Sequence, residues 1–134
     1  MADQRQTAQH EHWSQFWRSS GSALVSEAVR LPVLHKLWAE ILIEIPSPAD
    51  GAPLLELAAG AGSISRHISK IPHLAASTQF ALDASVEALS ELRCGEVAVA
   101  GDLHGLPFAQ RSMHLVTSQF GVEYAGLDGF ANAF

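Results

Sequence analysis

Residues 53–62 read Pro-Leu-Leu-Glu-Leu-Ala-Ala-Gly-Ala-Gly, and they carry the strongest fold signal in the chain. An apolar run there contains one acid, Glu56, and a loop of small residues follows it from Ala58 to Gly62. The pattern predicts a helix that opens at Ser63. A strand, a tight turn and a helix N-terminus together let a ligand lie against bare backbone. A carboxylate at the strand end repels phosphate, so it favours a ligand with an ammonium group or hydroxyls.

Strand and helix patterns alternate from Pro53 onward. The sequence predicts strands over 53–57, 78–83, 96–100 and 113–118, and helices over 63–70 and 85–93. Apolar strands separated by helical segments indicate parallel strands joined by right-handed crossovers. The fold class predicted is therefore α/β.

Three later stretches accompany the glycine loop, and each of them begins with a predicted strand. They are Phe80-Ala81-Leu82-Asp83-Ala84-Ser85, residues 97–108 with Gly-Asp followed by Leu-Pro-Phe, and residues 113–121. The four motifs, in this order and spacing, resemble those of the class I S-adenosylmethionine-dependent methyltransferases. The resemblance implies a three-layer, Rossmann-like fold with strand order 3-2-1-4, here truncated after the fourth strand.

The glycine loop is the first candidate for a cofactor site. Gly60 and Gly62 let backbone approach a ligand with no Cβ in the way, and the resemblance implies that this turn holds the methionine part of S-adenosylmethionine. The family often has glycine where this chain has Ala58, which narrows the clearance. Glu56 would accept hydrogen bonds from the loop backbone near the cofactor's amino group. The alternatives are a turn without a ligand and a surface acid at a strand end.

Asp83, at the end of the second strand, is the candidate for the ribose. Two carboxylate oxygens can accept hydrogen bonds from the two hydroxyls of a ribose diol. Ala84 would then lie near the adenine face. The alternative role for Asp83 is to cap the next helix, but Ser85 can do that equally well.

Asp102 and Leu103 are the candidates for the adenine edge. The Asp102 carboxylate could accept from the adenine amino group, and the Leu103 backbone N–H could donate to a ring nitrogen; an Asx-type turn is the alternative. Ser118, at the end of the fourth strand, completes the predicted cofactor set. His104 could touch a methyl acceptor, although a surface role is the simpler interpretation.

The sequence assigns no catalytic residue and no metal site. Of the seven histidines only His10 and His12 are close in sequence, and no His-x-x-x-His or Glu-x-x-His pair falls on a predicted helix. Cys94 is the sole cysteine, which excludes an internal disulfide. Methyl transfer from a sulfonium needs no protein nucleophile, because the cofactor carries the reactivity.

A helical cap is expected before the nucleotide-fold core. Residues 1–11 read as a loose tail, and the spacing of Trp13, Phe16 and Trp17 predicts a short helix. This aromatic stripe is expected to pack against the core, with a lid over the cofactor as the second interpretation. Further helical patterns include Leu24, Val25, Ala28 and Val29, and a stripe after Pro32. The expected division is 1–50 for tail and cap, and 51–134 for an incomplete cofactor-binding core.

Charge and hydropathy narrow the partners. The net charge is −6, and no basic run is present to neutralise phosphates, which argues against general nucleic-acid binding. The N-terminal residues are polar, and the apolar stretch 37–45 is too short to span a bilayer. The expectation is a cytoplasmic protein with no membrane partner.

Three functional hypotheses follow. The first is the cofactor-binding portion of an S-adenosylmethionine-dependent methyltransferase that acts by in-line displacement on an acceptor the sequence does not identify. The second is a truncated or degenerate domain of that type with a binding or structural role and no activity. The third is an NAD-binding oxidoreductase domain, which is disfavoured because Ser65 replaces the third glycine of Gly-x-Gly-x-x-Gly. The fourth strand is expected to leave an open edge through which the chain self-associates or binds a partner.

Overall fold

The computed structural model describes residues 4–21 and 32–125. Within them, the helices are α1 (Gln4–Phe16), α2 (Pro32–Ile43), α3 (Ser65–Ile68), α4 (Pro72–Ala75) and α5 (Val86–Leu89). The strands are β1 (Leu54–Leu57), β2 (Gln79–Asp83), β3 (Val97–Ala100) and β4 (Leu115–Ser118). A π-helical turn, Trp17–Gly21, follows α1, and short 3-10 turns form at Ala49–Gly51 and Val122–Ala125. The predicted stripe of Leu24, Val25, Ala28 and Val29 lies outside the described residues.

The four strands form one parallel sheet in the order β3-β2-β1-β4, which confirms the predicted order. β1 is central, and its residue Leu54 is level with Gln79 on β2 and with Leu115 on β4. Each strand lies inside its predicted range. The carboxyl ends of the strands therefore meet at one edge of the sheet, where parallel α/β folds place their ligands.

Alternate residues of β1 enter two different cores. Leu54 packs with Leu42 of α2 and with Ile64, Ile68 and Leu74 on one face of the sheet. Leu55 and Leu57 pack with Leu82 on the other face, which is covered by side chains from the segment between β3 and β4. All four residues of β1 are buried. Burial on both faces is what an apolar strand inside a parallel sheet requires.

The helices after β1 and β2 are shorter than predicted. The helix expected over 63–70 is α-helical only from Ser65 to Ile68, and α4, which the sequence did not predict, begins at Pro72. Proline disfavours a helical residue before it, so Ile71 is extended and the chain restarts a helix with proline in its first turn. The helix expected over 85–93 is α-helical from Val86 to Leu89.

The expected loose tail is wrong over residues 4–11, which form most of α1. This helix has weak amphipathic character, so its sequence pattern gave little sign of it. Its stability comes from tertiary contacts: His10 donates to Asp102 from Nε2 at 3.1 Å, and Arg18, just after α1, donates to Glu87 on α5 at 3.1 Å. The N-terminal segment therefore packs against the core.

Two histidines hold the linker that enters β1. His73 Nε2 donates to the carbonyl of Ile45 at 2.7 Å, and His114 Nε2 donates to the carbonyl of Pro46 at 2.8 Å. These bonds satisfy carbonyls just beyond the end of α2.

Among the described residues, no helix combines the length and apolar character needed to cross a membrane.

Glu56 is buried in the middle of the sheet, with 1% of its surface exposed. Its Oε1 accepts from the Ile64 backbone N–H at 3.0 Å, and its Oε2 accepts from the Ser65 backbone N–H at 3.0 Å and from Ser65 Oγ at 2.7 Å. Burial raises the pKa of Glu56 to about 7 against the effect of these hydrogen bonds, and the nearby Glu96 carboxylate raises it further. Glu56 therefore holds the start of α3 beneath the glycine loop.

This pKa predicts that stability falls as the pH rises from about 4.5 to 7. A carboxyl group whose pKa is higher in the folded protein than in the unfolded chain binds its proton more tightly when folded. Its contribution is complete below the unfolded pKa of 4.5 and is lost as the pH passes the folded pKa of about 7. The free energy of unfolding should differ between these two pH limits by on the order of 3 kcal/mol.

Urea unfolding at pH 5 and pH 8 measures the effect. Glu56→Gln should be less stable than wild type at pH 5 and should lack this component of the pH dependence. Glu96→Gln is the matched control. It removes the neighbouring charge, so it should lower the pKa of Glu56 in the folded protein and move the loss of stability to lower pH. Identical pH profiles for wild type and Glu56→Gln would contradict the assignment.

Candidate functional site

A cavity of about 270 Å³ lies above the carboxyl ends of β1, β2 and β3. Its floor is formed by the loops after these strands and after β4, and its roof is formed by α1 and the turn that follows. The end of β2 contributes Leu82 and Asp83. The loops contribute Ala58, Ala59, Gly60, Ser63, Ala84, Gly101, Asp102, Leu103, His104, Gln119, Phe120 and Gly121, and the N-terminal segment contributes Gln9, His10, Trp13, Phe16 and Trp17. The volume is close to the lower end of the range of about 300–1,000 Å³ for small-molecule sites.

The glycine loop is closely packed on two sides. Gly60 has a φ of +54°, and a Cβ there would lie 2.8 Å from the Trp17 ring, so only glycine fits between the loop and the roof. Ala58 also has a positive φ, +48°, which is strained for a residue with a Cβ. A Cβ on Gly121 would lie 2.1 Å from the Ala58 Cβ. The extra methyl of Ala58 is thus accommodated by a glycine opposite it.

Asp83 joins the loops that follow β1 and β2. Its Oδ2 accepts from the Gly60 backbone N–H at 2.8 Å, and its Oδ1 accepts from the Ser85 backbone N–H at 2.8 Å. Ser85 itself caps α5 by accepting from the Ala88 N–H. A carboxylate offers about four acceptor positions, and the Ala84 backbone N–H also bonds to Asp83, so at least one position remains for a ligand. Burial raises the pKa of Asp83, and the backbone hydrogen bonds oppose that rise.

Asp102 is shared between two histidines. Its Oδ1 accepts from the backbone N–H of His104 and from Nδ1 of the same residue, while its Oδ2 accepts from Nε2 of His10. Burial alone would raise the pKa of Asp102, but the hydrogen bonds from His104 and the charges of both histidines lower it overall. The predicted bond to an adenine amino group would have to share Oδ2 with His10.

The aromatic residues of α1 line the cavity. Trp13 and Phe16 make an edge-to-face contact with centroids 5.7 Å apart, and Phe16 and Trp17 make another at 5.7 Å. All three rings contribute to the roof. The expectation that they only pack against the core is therefore incomplete, and their position matches the alternative interpretation of a cover over the site.

The end of β4 forms the remaining wall. Gln119 Oε1 accepts from Trp38 Nε1 of α2 at 2.6 Å. Ser118 Oγ is enclosed and has no hydrogen-bond partner among the described residues, and it lies 3.3 Å from the position a Cβ on Gly121 would take. Phe120 is 63% exposed, with a φ of +57°. Gln119 and Phe120 were not predicted, although residues just after a parallel strand are the expected place for site residues.

The structure brings together most of the predicted cofactor residues. Those that line the cavity are Ala58, Gly60, Asp83, Ala84, Asp102 and Leu103. The other three lie outside the lining: Glu56 is buried beneath the loop, the Cβ position of Gly62 faces Leu92 and Glu96 at 2.9 and 3.2 Å, and Ser118 is one layer behind Gly121. Glu56 accepts hydrogen bonds from the start of α3 rather than from the loop itself.

Within residues 4–21 and 32–125, no group of three or more histidine, cysteine, aspartate or glutamate side chains is placed to hold a metal ion. Cys94 is exposed and is not part of the cavity.

An adenosyl amino acid fits this arrangement of groups. Asp83 has acceptor positions left for a diol, and the aromatic and small apolar residues provide surfaces for a flat base. Gly60 exposes backbone without a side chain. A pyrophosphate would lie near two carboxylates, Asp83 and Asp102, with no lysine or arginine among the lining residues.

Two curated methyltransferases are similar to part of this chain. The chain is 30% identical over 96 residues to the ubiquinone/menaquinone biosynthesis C-methyltransferase of Roseobacter denitrificans, a match that covers 66% of this chain and 38% of the relative. It is 35% identical over 89 residues to the demethylmenaquinone methyltransferase of Thermotoga maritima, covering 63% of this chain and 37% of the relative. No protein-family model matches the chain.

The chain thus spans less than two fifths of the length of these curated relatives. The matches extend over well over half of its own residues, and the sheet has the strand order that the motifs implied. The chain is therefore similar to methyltransferases over part of their length, and its sheet has the strand order of the Rossmann-like methyltransferase fold.

Proposed function

We propose that this chain binds S-adenosylmethionine and forms the cofactor-binding portion of a methyltransferase. The observation that carries the proposal is Asp83, which is fixed by Gly60 and Ser85 at the cavity and has acceptor capacity left on its carboxylate. The hydroxyls of a ribose diol are donors that match such a carboxylate. The small-residue loop beside it leaves backbone accessible to the amino-acid part.

The residues of the chain would hold and shield the cofactor. Asp83 would bind the ribose, the backbone around Gly60 would contact the methionine part, and Ala84 and Leu103 would contact the base. The rings of Trp13, Phe16 and Trp17 would exclude water from above. The bound cofactor supplies a methyl group on a sulfonium, which passes to an acceptor by in-line displacement.

The names of the two relatives indicate which methyl acceptor to test first. Both relatives carry names that refer to quinone methylation, so a demethylated quinone is the first acceptor to test. None of the described residues is assigned a catalytic role, because positioning and water exclusion account for most of what a methyltransferase must do.

An NAD-binding role has less support. Ser65 stands where a dinucleotide site has its third glycine, and its backbone N–H and hydroxyl both donate to the buried Glu56. Those donors are unable to face a pyrophosphate. The helix that begins at Ser65 is also only four residues long, which weakens its use as an anion site.

Calorimetry with S-adenosylhomocysteine and with NAD tests the proposal directly. Heat is expected with the first ligand and none with NAD, since the cavity offers acceptors for a diol and no lysine or arginine for a pyrophosphate. Binding of NAD alone would contradict the proposal. Absence of binding with both ligands would favour the second hypothesis, a truncated or degenerate methyltransferase-like domain with a binding or structural role and no activity.

Asp83→Ala should weaken binding of S-adenosylhomocysteine by at least about tenfold, because two hydrogen bonds to a charged group are lost. Affinity is measured by titration and corrected for the folded fraction found in thermal melts. Ser85→Ala is the matched control: it removes the cap of α5, at a cost of about 0.5–2 kcal/mol in stability, and leaves the affinity unchanged. A variant Asp83→Ala that melts early but binds normally would show that Asp83 is structural.

We also propose that the chain self-associates through β4. This strand is at one end of the described sheet, and Val116 on it is 38% exposed. An unpaired strand edge attracts another strand. Light scattering should show a mass above that of the monomer, and Val116→Lys should lower it. Val86→Lys, on α5, adds the same charge at a residue that is 64% exposed and should change nothing. A wild-type monomer at high concentration would contradict this proposal.

A further inference from the structure

The orientation of the Gln119 amide is fixed by its partner. The indole N–H of Trp38 can only donate, so the atom that it meets at 2.6 Å must be the amide oxygen. Nε2 of Gln119 therefore carries two N–H donors on the opposite side of the amide. Within the described part of the chain, Nε2 has no hydrogen-bond partner, and Gln119 lines the cavity.

Gln119 lies beside the glycine loop. It comes directly after Ser118, the last residue of β4, and β4 pairs with β1, whose end opens into that loop. Two residues further on, Gly121 packs against Ala58 so closely that a Cβ on it would overlap the Ala58 methyl group. The unsatisfied donors of Gln119 are thus next to the backbone that would receive the amino-acid part of the cofactor.

The two ends of the cavity differ in charge. Asp83 ends β2 and Asp102 follows β3, and both cavity histidines, His10 and His104, are bonded to Asp102. No lysine or arginine is among the lining residues, and Arg18 of the adjoining turn is paired with Glu87. A ligand carboxylate is repelled from the end with the acids and needs neutral donors at the β4 end.

We infer that Gln119 recognises the α-carboxylate of the cofactor's amino-acid part, with Trp38 holding the amide in the donating orientation. This inference rests on the proposed function, since it assigns one end of the same site. Gln119 is a specificity-determining residue in this role: it favours ligands with an acidic end over the adenosine portion alone.

Two ligands that differ only in the amino-acid part test this role. Calorimetry is carried out with S-adenosylhomocysteine and with 5′-methylthioadenosine, which has the same adenosine and sulfur but no carboxylate. Gln119→Glu keeps the size and the oxygen that accepts from Trp38, and it replaces the two N–H donors with a second oxygen. S-adenosylhomocysteine should bind at least about tenfold more weakly, and 5′-methylthioadenosine should bind as it does to wild type.

Two further variants make the test specific. Gln110→Glu makes the same chemical change at an exposed residue outside the cavity, and it should alter neither affinity. Trp38→Phe removes the donor that orients the amide, and it should weaken S-adenosylhomocysteine by a smaller factor while sparing 5′-methylthioadenosine. Thermal melts check that each variant is folded.

The outcomes separate the two proposals. If wild type binds neither ligand, the proposed function fails and the role of Gln119 fails with it. If wild type binds S-adenosylhomocysteine and Gln119→Glu binds it equally well, only the role of Gln119 is overturned. An equal loss for both ligands in Gln119→Glu would also overturn it, because that pattern indicates a general disturbance of the cavity.

Discussion

The buried carboxylate of Glu56 fixes the geometry on which the site depends. It lies in the central strand, and its three hydrogen bonds set where the chain leaves the sheet and where α3 begins. The glycines of the loop between these points lie close to Trp17 and Leu92, because they carry no Cβ that would clash with those side chains. A charged group in such a place is costly unless it is well bonded, and the raised pKa of Glu56 reflects that balance.

Asp83 and Asp102 differ in how much hydrogen-bond acceptor capacity remains for a ligand. Asp83 accepts from backbone N–H groups on both oxygens, so it serves the fold, and it has acceptor capacity left for a ligand. Asp102 is more heavily used, because two histidines from different parts of the chain meet on it. A ligand that binds Asp102 Oδ2 competes with His10 of α1 for that oxygen. The contact between α1 and the loop after β3 therefore depends on what is bound in the cavity.

The sequence predicted the sheet well and the N-terminal segment poorly. The strands were predictable because each is a short apolar run followed by a small or acidic residue, and the motif order implied the strand order. The helical nature of residues 4–11 was missed because it depends on bonds between distant residues, such as His10 with Asp102, which no local pattern reveals. Gln119 was missed because its role depends on Trp38, some eighty residues earlier in the chain.

The position of β1 in the sheet also shapes how the chain assembles. β1 is the first strand in the sequence, yet it pairs on one side with β4, whose residue Leu115 is aligned with Leu54. About sixty residues must be synthesised between them, which takes on the order of 3–12 s on a ribosome that adds about 5–20 residues per second. Throughout that interval the strand of the sheet that is buried along its whole length has an open side. The sheet's central strand is therefore the first to be made and the last to be enclosed.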